Sequence, residues 1–414
     1  MQTKSKLRQN IWRLILITIA GSVIYGLPYF RSYYYDAYLE AYHLTNTQMG
    51  MFGSMFGILG MISYLFGGVV ADMFSSRKLM SLSMVLTGVG GLLHLTHPSY
   101  EMLLFIYLLW GLTSLFAFWP SLLKSLREIA SDDEQSKAYG FMDGVRGIVN
   151  VIHLAITLAI FNYFSQKVNN LVGLDGVIIF YSALVIILGI ALFFIMKEPD
   201  TSHKTAEKFN FKQILTVLKM PAVWILSLIL CCTYTMNIAF YYFTPYATAT
   251  FGITATAAAM VTMLSQYIRP IAAFGGGITA DKIGRSKLMY FTFSLMAIGT
   301  FIIVFFHNIS TPVFIVLCAI IYFGMYAGYS TVFSMMNEGG IPINVSGTAI
   351  GLICTLGYLP EVFVSPIAGT LLDKMGTNGY KPFLIGVGVI MLIGIMSLII
   401  WDIYLKKINS HNLT

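Results

Sequence analysis

Apolar stretches of about twenty residues recur along the whole chain, the length that an α-helix rising about 1.5 Å per residue needs to cross a hydrocarbon layer of about 30 Å. Read outward from the N-terminus, they place spans at 12–38, 47–71, 79–97, 101–123, 138–164, 175–196, 220–245, 254–280, 288–306, 312–336, 346–371 and 383–404. Composition agrees, because 57% of the 414 residues are hydrophobic and 10% charged, which leaves too little polar surface to cover a water-soluble domain. The expected fold is an all-α polytopic membrane protein of twelve transmembrane helices.

Twelve spans put both termini on one side. The first span follows Lys4, Lys6, Arg8 and Arg13 without a small-residue cleavage site behind it, and it is read as an uncleaved helix. With the N-terminus cytoplasmic, Lys and Arg gather in the cytoplasmic segments. Only Lys167, Lys374 and Lys381 fall outside, and Arg31, Arg146 and Arg269 lie within spans. The net charge of +7 is thus topological, dispersed over alternate loops, and it does not point to nucleic acid. Cys231, Cys232, Cys318 and Cys354 sit inside predicted helices without metal-ligand spacing and read as packing residues. With no nucleotide-binding loop, metal-ligand cluster or activated nucleophile in the sequence, neither an enzyme, a metal nor a cofactor is expected. Short loops point to a bacterial inner membrane.

Internal repetition is the most informative pattern. Gly67-Gly68-Val69-Val70-Ala71-Asp72, ending in Lys78-Leu79-Met80, matches Gly276-Gly277-Ile278-Thr279-Ala280-Asp281, ending in Lys287-Leu288-Met289. Each copy joins the second span of its half to the third. Ala138 and Gly140 echo Ala349 and Gly351 at the fifth span of each half. The expected organisation is a six-helix bundle over 1–196, a cytoplasmic linker over 197–219, and a second six-helix bundle over 220–414.

The second copy, Gly277 to Asp281-Lys282 and Gly284-Arg285, resembles the loop signature of the major facilitator superfamily, and the resemblance covers essentially the whole chain. The first copy departs from it, with Met73 in place of a basic residue and Ser75 in place of glycine, although Arg77 and Lys78 restore charge. The resemblance implies a facilitator fold working by alternating access, with Asp72, Arg77, Asp281 and Arg285 in conformational gating loops. Glycines in these loops let helices approach closely. The plainer use is that the loops stop helices and fix topology.

Charges within spans are costly in lipid and usually face a cavity or a partner. On span five, Asp143, Arg146, Asn150, His153 and Thr157 recur at three or four residues and share a face. Asp143 and Arg146 fit equally well as a structural pair or as site residues. On span eight, Thr262, Ser265, Gln266 and Arg269 form a second stripe before Pro270. On span eleven, Glu361 lies between Pro360 and Pro366, where it can titrate as a proton-coupling group together with Asp143, or pair statically with Arg269.

The run Tyr29-Phe30-Arg31-Ser32-Tyr33-Tyr34 resembles the first span of the organophosphate and anion exchanger branch, in which an arginine here binds an anionic head group. Span seven lacks the second arginine of those exchangers and holds Thr233, Tyr234, Asn237, Tyr241 and Thr244 instead. Gly144-Val145-Arg146-Gly147 and Pro360-Glu361-Val362-Phe363 are similar to patterns in poorly characterised bacterial relatives of that branch. Arginines outnumber acids within the spans, which favours an anion.

The expected function is secondary active transport of a small hydrophilic organic anion, such as a phosphorylated, sulfonated or carboxylated sugar or related acid, coupled to protons and working as a monomer. Arg31, Arg146, Asn150, His153, Asn237, Tyr241, Gln266 and Arg269 are the candidate substrate contacts. The alternatives are a non-transporting sensor of transporter fold and an exporter of cations or drugs.

Overall fold

The computed structural model describes residues 6–131, 134–196, 211–306, 309–342 and 345–411. Helix occupies each of the twelve predicted segments. The chain divides into two compact units, one of residues 1–44 and 58–209 and the other of residues 45–57 and 210–414. Of the expected linker, 197–210 lies outside the described residues, and the remainder begins with a short helix.

The first unit holds α1 (Lys6–Gln9), α2 (Ile11–Val23), α3 (Gly26–Tyr33), α4 (Tyr35–Tyr42), most of α5 (Asn46–Met73), α6 (Ser76–His94), α7 (Tyr100–Trp110), α8 (Trp119–Ile129), α9 (Gln135–Lys167) and α10 (Asn170–Ile195). The first predicted span is therefore broken, with α2 and α3 bent by 42°. A π-helical turn at Gly111–Phe118 joins α7 to α8. Side-chain caps fix two starts: Ser75 accepts from the Lys78 amide and Asn169 from the Val172 amide, satisfying donors that a first helical turn leaves open. α6 packs closely on α10, because Gly88 leaves room for Ile186 where a Cβ would come within 2.5 Å of its side chain.

The second unit holds the first part of α5 with α11 (Phe211–Leu218), α12 (Pro221–Ala239), α13 (Phe243–Phe251), α14 (Ala255–Ile283), α15 (Arg285–Phe305), α16 (Thr311–Val332), α17 (Ser346–Gly357), α18 (Pro360–Met375) and α19 (Tyr380–His411). Prolines open α12 and α18, where a missing amide hydrogen costs nothing. Gly252 (φ 62) and Gly376 (φ 56) close α13 and α18 in the left-handed region that glycine enters without strain. Here α14 packs on α16, α15 on α19, and α12 on α17.

Seven helical stretches among the described residues are long and apolar enough to cross a membrane, and α2 with α3 makes an eighth if the bent pair is one span. The last of the seven, 347–408, runs through α17, α18 and α19. Large apolar side chains such as Phe194, Ile298, Ile187 and Ile403 stand exposed on these helices, the arrangement of a protein whose solvent on that side is hydrocarbon.

Candidate functional site

In the first unit the face predicted on span five exists. Arg146, Asn150 and His153 project from α9, whose regular turns bring residues three and four apart to one side. Ser22 on α2 donates to Asn150 Oδ1 and, at 3.3 Å, to the Arg146 carbonyl. His153 Nε2 lies 3.1 Å from the same Asn150 oxygen, and its Nδ1 lies 2.8 Å from the Tyr181 hydroxyl. Because Asn150 Oδ1 can only accept, Nε2 carries the proton and Nδ1 accepts from the phenol. His153 is thus oriented within a chain from Ser22 to Tyr181 and is 6% exposed. His153, expected as a solute contact, has both ring nitrogens engaged by Asn150 and Tyr181.

The two arginines that lie within predicted spans of this unit, Arg31 and Arg146, are held alike. Arg31, buried on α3, lies 5.1 Å from the Tyr107 ring centre, and Arg146 lies 4.8 Å from that of Trp119. Stacking uses the flat face of a guanidinium, whereas oxyanion recognition uses its N–H edge, so an aromatic shelf orients the fork. The Asp143 side chain lies outside those described, as does that of Asp72.

In the second unit, Glu361 lies in the first turn of α18 and is 6% exposed. It accepts from the Tyr234 hydroxyl of α12 at 2.7 Å. The Tyr234 ring lies 4.4 Å from that of Tyr358, and the Tyr358 and Tyr329 hydroxyls are 2.5 Å apart. A carboxylate, three phenols and the break between α17 and α18 therefore form one polar cluster, assembled because Pro360 ends the run of α17. Arg269 lies instead over the Tyr326 ring, 5.4 Å from its centre, and Gln266 donates to the Tyr326 hydroxyl at 3.0 Å. Asn237 is half-buried on α12, and Tyr241, in the short 3-10 turn after it, packs on Phe240 with ring centres 4.1 Å apart.

The loop residues have separate surroundings. Arg77 lies over the Phe193 ring at 5.0 Å, Asp281 is exposed, and Arg285 forms an ion pair with Glu338 at 2.6 Å. Gly276 does permit close helix approach, since a Cβ there would sit 2.9 Å from that of Ala327; Gly277 faces open space. The four cysteines are free, and no group of three or more His, Cys, Asp or Glu among the described residues could hold a metal ion.

Residues 13–340 match the family model of the Major Facilitator Superfamily. The chain belongs to this superfamily. It is accordingly a multi-pass membrane protein and a secondary transporter, in a family of transporters and not of enzymes. It is 30% identical to the inner membrane protein YqcE of Escherichia coli (strain K12) over 373 residues, covering 87% of each chain. It is 29% identical to the inner membrane protein YihN of the same organism over 393 residues, 92% of this chain and 91% of that one. A bacterial homolog of the human lysosomal transporter Spinster, inward-facing and unoccupied, superposes with a TM-score of 0.77 over 98% of each chain at 13% identity, which shows the facilitator fold.

Proposed function

We propose that this facilitator moves a small hydrophilic organic anion, such as a phosphorylated, sulfonated or carboxylated sugar or related acid, by alternating access coupled to protons. The observation that carries the reading is the pair Arg31 and Arg146 in the first unit, each stacked on an aromatic face, with Arg31 6% exposed. Burying guanidinium groups in a membrane protein is expensive, and such groups mark solute pathways. A planar fork matches phosphate, sulfonate and carboxylate alike, so the head group stays general. The tyrosine-rich run around Arg31 resembles the anion exchanger branch and supports the same reading.

Proton coupling is assigned to Glu361. A buried carboxylate changes the local charge by one unit when it takes or gives a proton, and the Tyr234 hydroxyl fixes where that charge sits. A second reading rests on the same cluster: a carboxylate among the Tyr234, Tyr329 and Tyr358 rings also suits a cationic solute.

A thermal-shift screen of the detergent-purified protein separates the two, because a ligand that binds the native state raises apparent stability. Glucose 6-phosphate, glucuronate and a sugar sulfonate are tested against choline, a lipophilic cation and neutral glucose, each at mildly acidic and mildly alkaline pH. Stabilisation by the anions, lost in Arg31→Gln, supports the proposal. Stabilisation by the cations alone overturns it in favour of the second reading.

A further inference from the structure

One buried titratable side chain of the first unit has no part in that reading. His94 ends α6 and is fully buried. Both ring nitrogens meet phenols of α4, with Nε2 2.7 Å from the Tyr38 hydroxyl and Nδ1 2.9 Å from the Tyr42 hydroxyl. The Trp110 indole stacks on the imidazole, with centres 5.9 Å apart and planes 6° from parallel, and Phe30 meets it edge-on. These contacts hold the ring in place while its partners leave its protonation open. A neutral imidazole has one N–H and one lone pair, and a phenol can donate or accept, so the proton can sit on Nδ1 or on Nε2 with both bonds kept. His153 lacks this freedom, because its Asn150 Oδ1 partner only accepts.

The two phenols look in different directions. Tyr42 is half-buried, with the His97 ring 6.0 Å away and the Asp175 carboxylate in electrostatic reach. His97 and Asp175 pair at 3.0 Å and are both partly exposed. Tyr38 is fully buried and interacts with Tyr107, the residue whose ring carries Arg31. The titratable and charged groups around His94 are thus Tyr38 and Tyr42 from α4, Tyr107 from α7, Arg31 from α3, and the His97–Asp175 pair at the rim.

We propose that His94 is a proton-relay site linking the His97–Asp175 rim of the first unit to Tyr38, Tyr107 and Arg31. A proton from bulk water reaches Tyr42 by way of His97, and the Tyr42 hydroxyl proton passes to Nδ1. The Nε2 proton leaves to Tyr38, which hands its own hydroxyl proton on towards Tyr107 and the polar group beside Arg31. One proton enters and one leaves, no charge is retained, and the ring ends in the opposite tautomer. Transfer in the reverse direction restores the start, so the ring equilibrates protons between its two phenols without turning. The relay holds whichever solute is moved.

The test is ¹⁵N NMR of the full-length protein with labelled histidines in lipid nanodiscs, without ligand, using His94→Gln to assign the resonance among the seven histidines. The relay predicts His94 nitrogen shifts averaged between the two neutral tautomers, beside a fixed Nε2–H tautomer for His153. Tyr42→Phe keeps the stack on Tyr38 but removes the hydroxyl, and it collapses the His94 average to one tautomer. A single fixed tautomer for His94 in the unsubstituted protein overturns the relay, and that spectrum alone decides the matter if Tyr42→Phe fails to fold.

Discussion

The Tyr234 hydroxyl donates to Glu361 at 2.7 Å, so two residues 127 positions apart share one buried charge site in the second unit. Glu361→Gln keeps the size and a hydrogen-bonding oxygen while removing the titrating group. It is expected to retain ligand-dependent stabilisation but lose the difference between mildly acidic and mildly alkaline pH, read by thermal shift. Tyr234→Phe strips a donor from a buried carboxylate and is expected to lower stability by about 1–3 kcal/mol. An unchanged pH dependence in Glu361→Gln removes this residue from the coupling role.

Close packing at the start of α5 gives a second prediction. Within the second unit, a Cβ on Gly369 would overlap the Asn46 carbonyl and one on Gly50 would overlap that of Ser365, both rigid backbone atoms. The Asp373 carboxylate accepts from the Asn46 and Thr47 amides at 2.8 Å, capping the same end of α5. Gly369→Ala is expected to destabilise by about 1–3 kcal/mol through overpacking, measured as a lower unfolding temperature in detergent. A neutral effect there means that α5 and α18 are not seated as described.

Arg285 and Glu338 test whether the loop after α14 serves motion or stability. Their ion pair is short but each side chain is about 30% exposed, and pairs of that kind contribute about 0–1 kcal/mol. Arg285→Gln should therefore barely move the unfolding temperature. If the loop gates transport, the same substitution slows uptake several-fold in liposomes, and Glu338→Gln does the same. Equal uptake by both variants leaves the loop a topological feature.

How much of this was legible in the sequence follows from the range of each interaction. The Arg146, Asn150 and His153 face could be read because helical period alone aligns residues three and four apart. The break at Pro360 was legible for a similar reason, since proline cannot continue the run before it. The bend between α2 and α3 has a local signal as well, because Pro28 lacks the amide hydrogen that the Ile24 carbonyl at the break would accept, while Gly26 lies against the Tyr181 ring of α10. The Tyr38–His94–Tyr42 chain joins residues 52 and 56 positions apart and carries no local signal. Nor did any pattern show that Arg269 would turn to Tyr326, while Glu361 turned to Tyr234.

The central claim, anion transport through the arginines of the first unit, is tested most directly by uptake into proteoliposomes. Labelled glucose 6-phosphate, glucuronate and choline are compared with and without an imposed pH gradient, using the unsubstituted protein, Arg31→Gln and Arg146→Gln. The account predicts gradient-dependent entry of at least one anion, reduced at least tenfold in both variants, with choline excluded. Choline entry without anion entry, or anion entry unchanged by both substitutions, would contradict it.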